Sequence, residues 1–144
     1  MVHKQFGRKY TKVEKIIDND LVLAMVIRNS FWEEGLHFVS SKGDFQQVGI
    51  WGYNKGWKSK PHIHLIKARE VLRTQEVIFV KEGRLKADIY TEKGHFLQSL
   101  ELGKGDMIVL LNGGHSYEIL ENNTKVLEIK NGPYLGADED RKVI

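Results

Sequence analysis

Nine short runs of strand-forming residues, each ended within a few positions by turn residues, constrain this chain more than any other feature. The runs are Leu21–Ile27, Gln46–Tyr53, Pro61–Leu65, Glu76–Val80, Arg84–Tyr90, Phe96–Leu102, Asp106–Leu111, His115–Leu120 and Lys125–Lys130. Turn chemistry separates most of them, as in Lys81-Glu82-Gly83, Glu92-Lys93-Gly94, Gly103-Lys104-Gly105, Asn112-Gly113-Gly114 and Glu121-Asn122-Asn123. The period is clearest in Arg84–Tyr90, where Leu85, Ala87 and Ile89 take one face and Arg84, Lys86, Asp88 and Tyr90 the other. Closely spaced short strands with glycine-rich turns predict an all-β sandwich, jelly roll or barrel. The segment Lys12–Asn19 reads equally as a helical turn or an edge strand.

A chain of 144 residues suits one domain, here 1–144, with a core over about 21–130 behind an N-terminal extension. Residues 131–144 form a C-terminal tail that opens on the turn-forming run Asn131-Gly132-Pro133-Tyr134, and its charged part, Gly136–Ile144, is read as loose. With no cysteine, disulfides, thiolate metal sites and a cysteine nucleophile are all excluded, and a reducing compartment fits. The longest apolar run, Leu21–Ile27, is far too short to span a bilayer, and the N-terminus lacks a signal-peptide pattern. The expectation is a cytoplasmic protein without a membrane partner. A net charge of +3 and no nucleic-acid module argue against nucleic acid as a partner. Phosphate loops and nucleophile elbows are missing as well.

Chemistry enters with Gly56-Trp-Lys-Ser-Lys-Pro-His62-Ile-His64. In a strand, residues two apart share a face, with Cα atoms about 6.5 Å apart, so His62 and His64 can converge on one cation. Glu76 offers a carboxylate, and His115, directly after the Gly113-Gly114 turn, a third imidazole. Three neutral imidazoles and a carboxylate suit Fe2+, Mn2+, Ni2+, Co2+ or Zn2+ and leave positions open for substrate. A His-x-His pair alone is more often structural. The weight lies in the combination.

That combination resembles the cupin superfamily. Gly56, five residues, His62-Ile63-His64 match the start of its first motif, and Glu76, six residues, Gly83 match its end. Gly105-Asp106 through Gly113-Gly114-His115 is similar to its second motif. Eleven residues separate His64 from Glu76, more than the motif has, which leaves Glu70 as an alternative carboxylate. Leu111 stands where the second motif has proline, its histidine comes one residue early, and its final asparagine is absent. The resemblance implies a double-stranded β-helix (jelly-roll) barrel with His62, His64, Glu76 and His115 facing its interior around one divalent ion. Thr74-Gln75-Glu76-Val77 and Lys130-Asn131-Gly132-Pro133-Tyr134 add a likeness to small cupins of carbohydrate biosynthesis.

The segment from Lys55 to Arg73 carries six basic residues against one acid, and Arg69 and Arg73 are its candidates for gripping a carboxylate or phosphate. Lys130, Tyr53 and Gln47 are candidate proton carriers or orienting groups, although polar strand positions more often face solvent. Trp51 and Trp57 are candidates for stacking on a sugar ring, but large aromatics more often serve packing. The expected function is a metal-dependent enzyme on a small sugar-like or anionic substrate, with isomerase, epimerase, lyase and oxygenase chemistry all open. The alternative is a non-catalytic binding or sensor module with the same pocket. A homodimer is expected, with Leu21–Ile27 pairing against a partner's sheet edge.

Overall fold

The computed structural model describes residues 13–144, so the N-terminal extension before residue 13 lies outside the described residues. Ten strands follow in chain order: β1 (Glu14–Asp18), β2 (Leu21–Ile27), β3 (Gly35–Phe38), β4 (Gly49–Gly52), β5 (Glu76–Glu82), β6 (Arg84–Tyr90), β7 (Phe96–Gly103), β8 (Met107–Leu110), β9 (Gly114–Ile119) and β10 (Lys125–Lys130). One short helix, α1 (Ala137–Asp140), lies in the C-terminal tail. The strands form three antiparallel sheets, ordered β1-β2-β8-β5-β10, β7-β6-β9 and β3-β4. The chain is thus nearly all β, as the turn spacing predicts, but the sheets do not close into a single barrel.

Alternation decides which residues meet. On the large sheet, Ala24, Val26, Ile78, Val80, Ile108 and Leu110 face the three-stranded sheet and bury themselves against its Leu85, Ala87, Ile89 and Leu102. The opposite face presents Met25, Ile27, Val77 and Val109, which the ribbon β3–β4 covers with Val48 and Ile50. Each fully buried aliphatic side chain contributes about 1.5–3 kcal/mol from leaving water. Two apolar faces on one sheet explain why β2, β5 and β8 read as continuous hydrophobic runs, whereas β6, with one side in water, alternates.

Three expectations are corrected. Pro61–Leu65 alternates like a strand, yet among the described residues it pairs with no strand and lies in an irregular segment. Leu21–Ile27 cannot join a partner's sheet edge, because β1 and β8 occupy both its edges and its side chains from Leu23 onward are buried. The tail is not loose: Thr74 Oγ1 donates to Asp140 Oδ1, and Ile144 packs where Gly94 and Gly114 leave room by lacking side chains.

Candidate functional site

Glu76 opens β5 on the interior face, in register with Lys130 at the end of β10. Three hydrogen bonds of the neighbouring Gln75 flank that pair. The Gln75 backbone N–H donates to Asn131 Oδ1 at 2.8 Å, and the Gln75 side chain accepts from the Gln46 N–H and donates to the Leu111 carbonyl. Gln75 is the one buried polar residue among those described, and its bonds satisfy it, as burial requires.

On the facing sheet, His115, Tyr117 and Ile119 of β9 stand opposite Ile89, Ala87 and Leu85 of β6 and therefore share their interior-facing side. The His115 Nε2 stands 3.2 Å from Glu76 Oε2, and Lys130 Nζ stands 3.6 Å from Glu76 Oε1. Lys130 Nζ also meets Glu128 Oε1 at 2.9 Å. The Glu76 side chain is only 13% exposed. The bond from His115 holds its carboxyl below the usual carboxylate range, with help from Lys130 and against the cost of burial. The contact with Glu128, and then that with Glu76, raises the Lys130 ammonium above its ordinary value. Burial pushes the Tyr117 phenol well up, and the charges of Glu76 and Glu128 push the same way.

The turn that delivers His115 is clamped from outside. Arg73 pairs with Glu92 and donates to Asn112 Oδ1 at 2.7 Å, while Glu92 Oε1 accepts the Gly113 N–H at 3.0 Å. Gly113 has φ of +73°, and a Cβ there would overlap the Tyr90 carbonyl oxygen, so glycine is required. Around this cluster lies a cavity of about 570 Å³ lined by Glu76, His115, Lys130, Arg73, Tyr134, Arg141 and Lys142, among others. Among the described residues, the side chains of Arg141 and Lys142 have no acidic partner, so their charge is available to a ligand.

The structure thus brings together Glu76, His115 and Lys130 and leaves the other candidates elsewhere. His62 and His64 lie side by side on an exposed segment, with ring centroids 5.2 Å apart and His62 Nδ1 2.9 Å from the Lys60 carbonyl. Arg69 and Glu70 occupy the same exposed segment. Gln47 closes a turn by donating to the Ser41 and Asp44 carbonyls. Tyr53 stacks on Trp57 at 3.9 Å, beside Trp51. Arg73 lines the cavity, but its guanidinium is engaged by Glu92 and Asn112. Among the described residues, no three His, Asp or Glu side chains stand together so as to hold a metal ion. Within one chain, then, the expected four-ligand set is not assembled.

Sequence reasoning missed Arg141, Lys142 and Tyr117. The first two sit in a tail without periodicity. Tyr117 carried one available signal: it stands two residues after His115 in a strand, hence on the same face. Compared with protein-family models, with curated proteins and with solved structures, the chain matches none.

Proposed function

We propose that the chain is a small enzyme of the cupin jelly-roll type that moves a proton on a small anionic, sugar-like substrate. The observation that carries this reading is the 3.2 Å approach of His115 Nε2 to Glu76 Oε2 at the wall of a cavity with two uncommitted cations. A carboxylate on one imidazole nitrogen fixes the tautomer with its proton there, which leaves Nδ1 with a lone pair to accept a proton from carbon or hydroxyl. Glu76 then stabilises the imidazolium that forms, and the same nitrogen returns the proton. The bond from His115, with help from Lys130, keeps Glu76 ionised. Arg141 and Lys142 attract the substrate's anionic group and set its orientation. The motif resemblance around His62, His64, Glu76, Gly83 and His115 supports the family assignment, and the two facing antiparallel sheets are compatible with it.

The test is turnover of a panel of nucleotide sugars and keto acids by the unaltered protein and by His115→Ala and Glu76→Gln. Positioned acid–base groups contribute roughly 10²- to 10⁴-fold, so His115→Ala loses at least that lower factor while remaining folded. Binding without turnover of any panel member would favour the non-catalytic binding module instead. Undiminished turnover in His115→Ala would end the proton-transfer reading.

A further inference from the structure

Every residue from Tyr53 to Arg73 is exposed, and none of them belongs to a helix or strand. Two kinds of side chain are concentrated there. Six basic residues stand against the single acid Glu70, a net +5, whereas the whole chain carries +3, so the rest of the sequence sums to −2. Five of the six, Lys55, Lys58, Lys60, Lys67 and Arg69, have no ion-pair partner among the described residues. Large aliphatic side chains stand among them: Ile63 is 88% exposed and Ile66 101%, and Leu65 and Leu72 are nearly as open.

Aromatic rings mark the root of the segment. Tyr53 stacks on Trp57 at 3.9 Å, and Trp51 of β4 meets the two rings at 5.8 and 5.9 Å. All three are exposed, and Leu36, opposite Trp51 on β3, continues the same apolar surface. Indole and phenol rings have an apolar body and a polar edge, which favours the boundary between water and hydrocarbon.

Charge and apolar surface together identify what this segment meets. Exposed apolar clusters rimmed by polar groups mark interaction surfaces. Nucleic acid would engage the lysines and the rings, but it gives Ile63, Leu65, Ile66 and Leu72 nothing apolar to pack against. An acidic peptide would need a groove or an open strand edge to fix it, whereas this segment is irregular and exposed throughout. The same segment of a second copy would bring like charge against like charge. A bilayer surface with anionic headgroups supplies negative charge and hydrocarbon side by side, and being fluid it demands no fixed shape.

From this match we propose that the segment 53–73 adsorbs the protein to an anionic lipid surface. Its lysines meet headgroup phosphates, while Trp57, Ile63, Leu65 and Ile66 enter the boundary between headgroups and acyl chains. The sequence expectation of no membrane partner rests on the lack of a spanning run, which adsorption does not need. The remaining sequence, with its small negative sum, is repelled by the same surface, so the charge asymmetry orients the protein as well as attracting it. Adsorption is independent of the proton-transfer reading, and its test reads lipid partitioning rather than turnover.

The test is co-sedimentation of the full chain with vesicles of phosphatidylcholine alone and of phosphatidylcholine mixed equally with phosphatidylglycerol, at low and high salt. Two variants accompany it, Lys55→Gln/Lys58→Gln/Lys60→Gln and Ile63→Ser/Leu65→Ser/Ile66→Ser. Every position changed is exposed, so both variants keep the fold. The expected result is binding to the mixed vesicles that high salt weakens, and a partition coefficient at least about tenfold lower in each variant. Absence of binding to mixed vesicles at low salt would overturn the proposal, as would equal binding to phosphatidylcholine alone. So would undiminished binding of the serine variant, which would reduce the segment to a polyanion-binding surface of the kind nucleic acid uses.

Discussion

His115 Nε2 and Glu76 Oε2 approach to 3.2 Å across two sheets that share no backbone ladder, so one side-chain contact joins β9 to β5 at the cavity wall. Replacing Glu76 by Gln removes a partly buried carboxylate that both His115 and Lys130 address. A charge-assisted contact of this kind contributes about 1–2 kcal/mol. Urea unfolding of Glu76→Gln should show a loss of that size, and the Tyr117 phenol should titrate at lower pH once the nearby charge is gone. An unchanged unfolding midpoint would mean that the contact contributes nothing.

The clamp on the His115 turn gives a pH dependence. Arg73 first, and then the Gly113 N–H, hold the Glu92 carboxyl below its ordinary value. A group depressed in the folded state contributes stability that is fully present above the ordinary carboxylate range and lost as pH falls through the lowered folded value. The difference in stability between the unaltered protein and Glu92→Gln should therefore be largest near neutrality and shrink in acid. Thermal unfolding at a series of pH values checks it, and a difference that grows in acid would contradict it.

Gly113→Ala should be far more costly than Gly43→Ala. The backbone φ of +73° disfavours a side chain, and the added Cβ meets a carbonyl oxygen that cannot move independently of β6. A loss of about 2 kcal/mol or more is expected by denaturant unfolding, with Gly43→Ala, whose Cβ would meet nothing within 4 Å, as a near-neutral reference.

Much of the fold is legible in the sequence where one physical constraint acts alone. Arg84–Tyr90 alternates because one face of β6 is buried and the other wet, and the glycine turns bound it on both sides. Glu76 was distinguishable from Glu70 by its distance to Gly83 and by the strand that continues from it. Other features depend on contacts between remote positions and leave no local mark. β3 is half-exposed on a two-stranded ribbon, so Gly35–Phe38 shows no strong pattern. Arg73 looks like a free cation until Glu92 is placed against it. Arg141 and Lys142 reach the cavity because Ile144 anchors the tail at Gly94 and Gly114, an arrangement no periodicity announces. Pro61–Leu65 is the converse: its local pattern is right for a strand, but a strand also needs a neighbour.

Arg141 and Lys142 supply the cavity's uncommitted positive charge. Replacing both with alanine should weaken binding of inorganic phosphate about tenfold at low salt, equivalent to about 1.4 kcal/mol. Added salt should erase most of the difference by screening. Titration calorimetry at two ionic strengths reads both effects. Equal affinities at low salt would remove these residues from the site.

The proton-transfer account is tested most directly by incubating the substrate panel with the protein in D2O and following deuterium entry into substrate carbon by mass spectrometry. The expected result is deuterium uptake with the unaltered protein, none with a folded His115→Ala, and unchanged protein folding in both. Uptake at the same rate in His115→Ala would contradict the assignment of His115 as the group that carries the proton.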